Sequence, residues 1–306
     1  MSLYKKYRPS NLDEIVGNKE IIASLQKLVK KKTIPQTILF TGETGCGKTT
    51  LARILAKELK AKNSLIELDS AQFNGIDVIR DIRKKSRFIP IDGGAKVFII
   101  DEVHQLSRQA MEGFLKELED TPKNVYYFLC TTNPEKLLPT IKGRCIQYQL
   151  DVLSDKDMRY LLERVAAKEK EDVNDKVYKA IIKKANGHPR NALNLLQQTL
   201  SVPSKKRIKV IETFEQEEND SIELCRSLIK QEGFKAAQTI LKGLKTQNAE
   251  SIRRHVLGYC QSVLLGNNYK DSHRRAAMLV EEFSTPTYDS GFVSIVAACY
   301  SYYYSE

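Results

Sequence analysis

This sequence lacks the features that mark disulfide-rich, zinc-binding and membrane-spanning proteins. Its six cysteines are scattered and include no C-x-x-C pair, which argues against both a zinc knuckle and a disulfide framework. No stretch approaches the ~20 apolar residues of a membrane span, and the first residues lead into no apolar signal core. The four histidines have no metal-ligand spacing. We therefore expect a soluble protein of a reducing intracellular compartment, with no zinc and no membrane partner.

The sequence also has fewer acidic than basic residues. The 306-residue chain has 38 acidic and 49 basic residues, so its formal net charge is +11. Such an excess favours a polyanionic partner, because binding releases counterions from that partner. Basic faces that are merely solvated give the same composition. Charge alone therefore leaves nucleic-acid binding open, and the length allows two or three domains.

A complete phosphate-binding motif, G-x-x-x-x-G-K-T, follows an apolar strand candidate and precedes a helical pattern. Glycines let such a loop turn its backbone N–H groups toward phosphates, and the next helix presents its positive N-terminus to the same anion. Lys48 adds a charge at the β- and γ-phosphates, and Thr49 offers a hydroxyl to Mg²⁺. The predicted nucleotide-binding residues of this loop are Gly42, Glu43, Thr44, Gly45, Cys46, Gly47, Lys48, Thr49 and Thr50.

Two carboxylates end a later strand of the buried type. The apolar run from Val97 to Ile100 is followed by Asp101 and Glu102, and ligands collect at the carboxyl edge of a parallel sheet. Asp101 suits Mg²⁺ together with Thr49, and Glu102 suits activation of the attacking water. The combination predicts binding and hydrolysis of ATP or GTP with Mg²⁺. A decayed site kept only for structure is the alternative.

The thiol of Cys46 lies within the phosphate loop at the start of the predicted helix. A helix N-terminus can lower the pKa of a thiol and make it reactive. The other interpretation is a small side chain that simply fits the loop.

Alternating strands and helices predict an α/β fold with a parallel, helix-covered sheet. We expect strands at 37–41, 64–68, 96–100, 125–130 and 145–150, followed by helices at 154–167, 174–185 and 189–200. Later helices are expected to be split near Gly243, Gly266-Asn267-Asn268 and Thr285-Pro286-Thr287. The predicted domains are a P-loop NTPase domain (1–150), a small helical lid domain (151–202) and an all-helical domain (203–306).

A set of short motifs occurs in a fixed order along residues 1–200. These motifs are Lys6-Tyr7-Arg8-Pro9, Val16-Gly17-Asn18, the phosphate loop, Gly75-Ile76-Asp77-Val78-Ile79-Arg80, Asp101-Glu102-Val103-His104, Thr131-Thr132-Asn133, Gly143-Arg144-Cys145 and Gly187-His188-Pro189-Arg190. In order and spacing, this set of motifs resembles that of the ATPase subunits of sliding-clamp loaders, a branch of the AAA+ superfamily. After residue 200 the likeness is only one of length and helical character. It implies an AAA+ domain, a lid and a C-terminal collar through which subunits assemble.

The resemblance also assigns the base and sugar side of the nucleotide site. In the family, this side is lined by the segment that matches Tyr7, Arg8, Pro9, Val16 and Gly17 here. A proline-stiffened arm that packs on the domain surface is the alternative. Some bacterial relatives insert a cysteine-coordinated zinc module after the phosphate loop. Here Ala61-Lys62-Asn63 leads straight into the next strand, so we expect no zinc.

Three further roles around the phosphates follow from the resemblance. The polar sensor falls on Thr132 or Asn133, with a register that stays open by one residue; ordinary turn residues are the alternative. Arg144 matches a finger that reaches the neighbouring subunit's ATP site, although Gly143 replaces the family's usual serine. Arg190 matches a second sensor at the start of a lid helix. Solvent-facing arginines without a role are the alternative for both positions.

A basic stripe predicts contact with DNA. Arg80, Arg83, Lys84 and Arg87 fall at i, i+3, i+4 and i+7 of a helical pattern. In clamp loaders the matching helix faces the central passage that holds primer–template duplex. Lys116, on the outer face of a later helix, is a weaker candidate. Binding of this kind is directed at the backbone and is not sequence-specific, and solvated basic faces remain the alternative.

The sequence therefore predicts a DNA-stimulated ATPase subunit of a clamp loader, which opens a ring-shaped clamp and loads it at primer–template junctions during replication. The implied partners are the clamp, the DNA and other loader subunits in a pentamer, with a distinct subunit among them. An AAA+ DNA-remodelling motor, such as a branch-migration helicase or helicase loader, is one alternative. A scaffold subunit that binds ATP without turnover is another. The expected location is the cytoplasm or nucleoid of a bacterium or phage, or the nucleus of a eukaryote.

Overall fold

The computed structural model describes residues 1–61, 63–88, 94–245, 247–266, 270–287 and 290–304. The chain divides into two compact units, Met1–Ser204 and Lys205–Glu306. The predicted boundary at residue 150 lies inside the first unit, and the division into three domains stays a prediction. Lys62, Asn267 and Asn268, which belong to two of the sequence-predicted connections, lie outside the described residues.

A five-stranded sheet forms the centre of the first unit. Its strands are β1 (Thr37–Thr41), β2 (Leu65–Asp69), β3 (Lys96–Asp101), β4 (Val125–Thr131) and β5 (Ile146–Gln149). Their order is β2-β3-β4-β1-β5, and each neighbouring pair is parallel. Each strand lies within one residue of its predicted bounds at either end. The predicted α/β class with a parallel sheet is thus confirmed.

Helices connect these strands and then continue beyond them. They are α1 (Leu3–Lys6), α2 (Lys19–Lys31), α3 (Lys48–Glu58), α4 (Ile76–Ser86), α5 (Arg108–Glu119), α6 (Pro139–Lys142), α7 (Asp155–Lys168), α8 (Asp175–Ala185) and α9 (Pro189–Leu200). Side chains cap several of their N-termini: Ser107 accepts from the Ala110 amide, and Ser154 from the Asp157 amide. Such caps typically contribute about 1 kcal/mol each, and they set where α5 and α7 begin.

The sheet has an apolar layer on each face. On one face Phe40 packs with Leu25 of α2 and Leu55 of α3. On the other face Leu39, the neighbouring residue of β1, packs in a layer with Ile79 of α4 and Phe114 of α5. Neighbouring residues of a strand point to opposite faces, so a strand covered on both faces must be apolar throughout. This is why β1, β3 and β4 read as continuous apolar runs.

The carboxyl ends of the strands gather the chemically active residues at one edge. Thr41 of β1 is in register with Thr131 of β4, and Asp69 of β2 with Asp101 of β3. The phosphate loop follows β1 directly. The pairing of strands far apart in sequence thus brings the loop and the acid pair to the same edge.

The second unit is helical. It is built from α10 (Ser204–Lys230), α11 (Phe234–Leu244), α12 (Ala249–Leu264), α13 (Lys270–Glu282) and α14 (Phe292–Tyr304). The expected breaks near Gly243 and near Thr285 are confirmed. An additional break between α10 and α11 was not predicted, and it contains two positive φ angles, at Gln231 and Gly233. Among the described residues, no helix combines the length and apolar character needed to cross a bilayer.

Candidate nucleotide-binding site

The phosphate loop between β1 and α3 has the backbone shape that its glycines permit. Gly42 has a φ of +136°, a value that side chains rarely allow. A Cβ built there would lie 2.3 Å from the Leu150 carbonyl oxygen. A side chain at position 42 would therefore push the loop away from the end of β5.

Lys48 is buried at the first position of α3. Its Nζ donates hydrogen bonds to the carbonyl oxygens of Gly42 at 2.8 Å and Glu43 at 2.9 Å. The ammonium group is thus held inside the loop that it is predicted to serve. A cationic side chain within a curved loop at a helix N-terminus is a site for anionic phosphates.

The pair of Thr49 and Asp101 provides hard oxygen atoms beside this loop. The Thr49 hydroxyl donates to Asp101 Oδ2 at 2.8 Å, joining the start of α3 to the end of β3. Mg²⁺ in nucleotide sites takes one or two protein oxygens and completes its shell with phosphates and water. A hydroxyl and a carboxylate at this separation fit such an ion.

Glu102, the second acid, has a left-handed backbone conformation with a φ of 47° and a ψ of 44°. A residue with a side chain holds this conformation at a cost of about 1–3 kcal/mol, and such residues cluster at functional sites. The Glu102 Oε2 atom accepts hydrogen bonds from the Thr132 hydroxyl at 3.0 Å and the Thr132 amide at 3.3 Å. The acid expected to activate water is thus bonded to one of the two candidate sensor residues.

His104 joins this group from its own short helical turn, Val103–Gln105. It is buried, with Nδ1 2.9 Å from Thr131 Oγ1 and 3.3 Å from Glu102 Oε2. Its Nε2 atom lies 3.3 Å from the amide nitrogen of Asn133, a donor. Nε2 therefore accepts, and Nδ1 carries the proton. Burial lowers the pKa of His104, which favours this neutral form. His104 thus connects Glu102 to Asn133, the other candidate sensor.

An open cleft of about 320 Å³ lies over the phosphate loop. Most of the predicted nucleotide-site residues line it: Tyr7, Arg8, Pro9, Val16, Thr44, Gly45, Cys46, Gly47, Lys48, Thr49, Thr50, Asp101, Glu102 and Arg190. Gly17, Gly42, Glu43, Thr132, Asn133 and Arg144 are not part of its lining. Gly17 instead packs closely on Leu153, where a Cβ would lie 2.4 Å from the leucine side chain.

Several residues that line the cleft were missed by sequence reasoning. They are Tyr4, Glu14, Ile15, Asp69, Leu153, Leu161, Arg164, Pro189 and Leu193. Arg164 Nη1 donates to the Glu14 carbonyl oxygen at 3.2 Å, which connects α7 to the N-terminal arm. The Tyr7 hydroxyl donates to Glu169 and makes a similar connection. Asp69 reaches the cleft from the end of β2, in register with Asp101, and most of the others reach it through the packing of helices and of the N-terminal arm, which no local pattern indicates.

The Cys46 thiol does not have the lowered pKa that its position at a helix N-terminus suggested. Cys46 is buried, and burial raises the pKa of its thiol, because a thiolate loses solvation there. The loss of solvation outweighs the opposing effect of nearby Lys48. This direction favours the interpretation of Cys46 as a small side chain that fits the loop.

Arg144 lies between α6 and β5, away from the cleft of its own chain. Its guanidinium forms an ion pair with Glu119 at the end of α5, and Nη1 donates to the Thr140 carbonyl oxygen at 3.0 Å. Neither of these partners belongs to the phosphate loop.

The basic helix α4 packs against α5. Arg83 forms an ion pair with Glu117 of α5, a largely buried carboxylate, and is therefore engaged within the fold. Arg80, Lys84 and Arg87 are exposed, as is Lys116 on α5. Arg80 also pairs with Asp77 at 2.7 Å, but both side chains are mostly in solvent. The exposed stripe thus consists of Arg80, Lys84 and Arg87.

No cluster of three or more histidine, cysteine or acidic side chains suited to a metal ion occurs in the part of the chain that the structure describes. The proposed Mg²⁺ site is of a different kind, with two protein oxygens and the remaining ligands from phosphate and water.

Comparison with known proteins extends this description. The family model described as DNA polymerase III, delta subunit, matches residues 65–154, and the sigma-54 interaction domain model matches residues 15–78. The DNA polymerase III subunit gamma/tau of Mycobacterium tuberculosis is 35% identical over 225 residues, covering 66% of this chain and 39% of that protein. The gamma subunit of Buchnera aphidicola is 32% identical over 235 residues, covering 70% and 64%. The chain therefore spans about two fifths of the length of the mycobacterial relative.

Solved structures show the same fold at lower identity. RuvB from Thermotoga maritima, described as a Holliday junction branch migration motor, matches with a TM-score of 0.60 and 21% identity, covering 77% of this chain and 85% of that one. A DNA polymerase III gamma subunit-related protein from the same organism matches with a TM-score of 0.54 and 18% identity, covering 92% and 98%. These likenesses confirm the AAA+ fold. By sequence, the chain is a homologue of the gamma and tau subunits of bacterial DNA polymerase III.

Proposed function

We propose that this chain is an ATP-hydrolysing subunit of a clamp loader that works in DNA replication. The observation that carries the proposal is the complete phosphate site of Lys48, Thr49, Asp101 and Glu102, in a chain that is 32–35% identical to DNA polymerase III gamma and tau subunits. A scaffold subunit without turnover would not need all four residues.

In this proposal the triphosphate binds along the loop. Lys48 exchanges its bonds to the Gly42 and Glu43 carbonyls for bonds to the β- and γ-phosphates. The loop amides and the N-terminus of α3 hold the remaining phosphate oxygens. Thr49 and Asp101 would hold Mg²⁺, which neutralises charge on the phosphates when it is bound. The base and sugar of the nucleotide then lie toward Tyr7, Arg8, Pro9 and Val16.

Glu102 accepts the proton of the attacking water. It lies at the end of β3, next to the residue proposed to hold the metal ion, and its carboxylate is oriented by bonds to Thr132. A positioned general base typically contributes 10²–10⁴-fold to a rate. Thr132 and Asn133 both act as sensors in this scheme, one through Glu102 and the other through His104. Arg190, at the start of α9 and on the cleft, contacts the γ-phosphate.

Arg144 completes the site of a neighbouring subunit. Its position away from its own cleft supports this role, because a finger that acts in trans must be directed outward. An arginine finger supplies roughly 10³–10⁵-fold in rate. Before it can do so, Arg144 must release the ion pair with Glu119.

The remaining parts of the proposal concern assembly. The loader is a pentamer that contains a distinct subunit, and residues 203–306 form its collar while 151–202 form the lid. ATP binding closes the assembly around the clamp and opens the ring at a primer–template junction, and hydrolysis releases it. Arg80, Lys84 and Arg87 contact the DNA backbone, with Lys116 as a further candidate. We place this activity in the bacterial cytoplasm, because the named relatives are DNA polymerase III subunits of bacteria.

The test is ATP turnover of the assembled complex with its sliding clamp and primed DNA. Wild-type turnover is expected to rise when clamp and DNA are both present, and Arg144→Ala is expected to lower the stimulated rate by about 10³-fold. Stimulated turnover that persists unchanged in Arg144→Ala would refute the trans-acting finger. A parallel strand-displacement assay addresses the motor alternative: processive strand movement would replace the loader by a branch-migration motor.

A further inference from the structure

The phosphate loop and the lid helix are joined by a side-chain contact that none of the roles above uses. Glu43 Oε2, in the loop, lies 3.1 Å from His188 Nε2. His188 is the N-cap residue of α9. The contact therefore connects the second residue of the loop motif to the start of the helix that carries Arg190.

A second contact lies beside the first. Gly45, at the turn of the loop, has a φ of +82°, and a Cβ built there would lie 3.3 Å from the Cβ of Arg190. The loop and the first turn of α9 thus approach each other at two points, Glu43 with His188 and Gly45 with Arg190. Arg190 is exposed, and its guanidinium carbon lies 5.9 Å from the centroid of the Tyr4 ring.

The chemistry of the two groups gives the contact a direction. The carboxylate of Glu43 can only accept, so the 3.1 Å contact is attractive in the form of His188 that carries a proton on Nε2. The other ring nitrogen, Nδ1, is buried and meets no hydrogen-bond partner among the described residues. The backbone of His188 is held as well, because its carbonyl accepts from the Ala192 amide at 3.1 Å. The ion-pair contact of Nε2 with Glu43 is thus the polar contact that connects this side chain to the loop.

We propose that Glu43 and His188 are positioning residues, which hold the start of α9 against the phosphate loop so that Arg190 reaches the γ-phosphate. This inference rests on the proposed function, because it requires Arg190 to contact ATP. Without the contact, α9 moves away from the loop, and the site loses part of its preference for ATP over ADP. The Glu43 side chain is 70% exposed, so the expected effect is that of a solvent-exposed pair, about two- to fivefold in affinity ratio.

The experiment compares two conservative variants of His188. In His188→Gln the side-chain amide nitrogen occupies the place of Nε2 and can still donate to Glu43. In His188→Asn the amide nitrogen occupies the place of Nδ1 and cannot reach. The dissociation constants of ATPγS and ADP are measured by fluorescent-nucleotide displacement on the full chain. Glu43→Ala and the double variant Glu43→Ala/His188→Asn complete a double-mutant cycle, with the exposed Glu112→Gln on α5 as the matched control for the change in charge.

The expected result is that His188→Asn and Glu43→Ala each lower the ratio of ADP to ATPγS dissociation constants about two- to fivefold. His188→Gln should keep the wild-type ratio, and the double variant should be no worse than either single one. If His188→Asn and the wild type have equal ratios of ADP to ATPγS dissociation constants, this inference is wrong while the proposed function stands. Additive effects in the double variant would have the same meaning. A wild-type chain that binds neither nucleotide would overturn the proposed function together with this inference.

Discussion

At the scale of single residues, the carboxylate of Glu250 shows how one partly buried charge stabilises the second unit. Glu250 lies at the start of α12, and its oxygens accept hydrogen bonds from Arg253 at 2.7 and 2.8 Å and from Thr287. These bonds favour the charged form and hold the pKa of Glu250 at about 2, against an ordinary value of 4.5. The stabilisation is therefore present above pH 4.5 and is lost as the pH falls toward 2.

Glu250→Gln is expected to lower the free energy of unfolding of the second unit at pH 7 by about 1–3 kcal/mol, because it weakens charge-assisted bonds. The difference from the wild type should shrink as the pH falls from about 5 to about 2. Urea unfolding followed by circular dichroism at several pH values measures both. The exposed Glu281→Gln on α13 serves as the control. A difference that stays constant over this pH range would show that Glu250 is not ionised in the folded unit.

Contacts between individual side chains of the site could not be predicted from the sequence. Motif residues such as Lys48, Thr49 and Asp101 were predicted because residue type and spacing within a short motif indicate their roles. The bond from Thr132 to Glu102, or from Glu43 to His188, joins residues that are distant in the sequence. Such pairings depend on how helices and strands pack, and no local pattern indicates them.

At the scale of elements, the exposed stripe of α4 is expected to govern affinity for DNA. Replacing Arg80, Lys84 and Arg87 together by glutamine removes three charges that are available to phosphates. The salt dependence of binding to primed DNA should then weaken by about 0.9 in log–log slope for each phosphate that is no longer neutralised. The measurement is fluorescence anisotropy at several salt concentrations.

The control for α4 removes the same charge from another helix. Lys27, Lys30 and Lys31 are exposed on α2, and their replacement by glutamine tests whether total charge alone matters. Equal reductions of affinity and slope in both triple variants would contradict a specific role for α4.

The positions of helices and strands were predicted better than the contacts between them. The central strands β1, β3 and β4 could be placed from sequence because each is an apolar run bounded by turns or polar residues, as a strand buried on both faces must be. The outer strands β2 and β5 mix apolar and polar residues. The break between α10 and α11 was missed, since it depends on a positive φ at Gln231, a residue without turn preference. Arg83 looked like part of the DNA-facing stripe, but Glu117 of α5 engages it. Helical periodicity indicates which residues share a face and leaves open what that face meets.

At the scale of the whole molecule, the separation of Arg144 from its own cleft predicts complementation between two inactive chains. Glu102→Gln and Arg144→Ala should each lower turnover of the assembled complex by 10²-fold or more. In a mixture, the Glu102→Gln chain still provides Arg144 to a neighbour whose Glu102 is intact. The mixed complex should therefore recover turnover, measured as phosphate release with clamp and primed DNA.

The mixing experiment has its own control, a complex reconstituted from two preparations of the same variant. Turnover of the mixture that never exceeds the sum of the two separate variants would contradict a site shared between neighbouring chains.

The left-handed backbone at Glu102 opposes the stability of the chain to its proposed turnover of ATP. A glycine at position 102 would relax the chain and raise its melting temperature, yet it would remove the acid on which turnover depends. A β-branched side chain would be worse for folding, because it fits poorly at positive φ. The carboxylate proposed to activate water thus lies where the backbone alone would favour glycine, and a screen for thermostable variants should return inactive ones at this position.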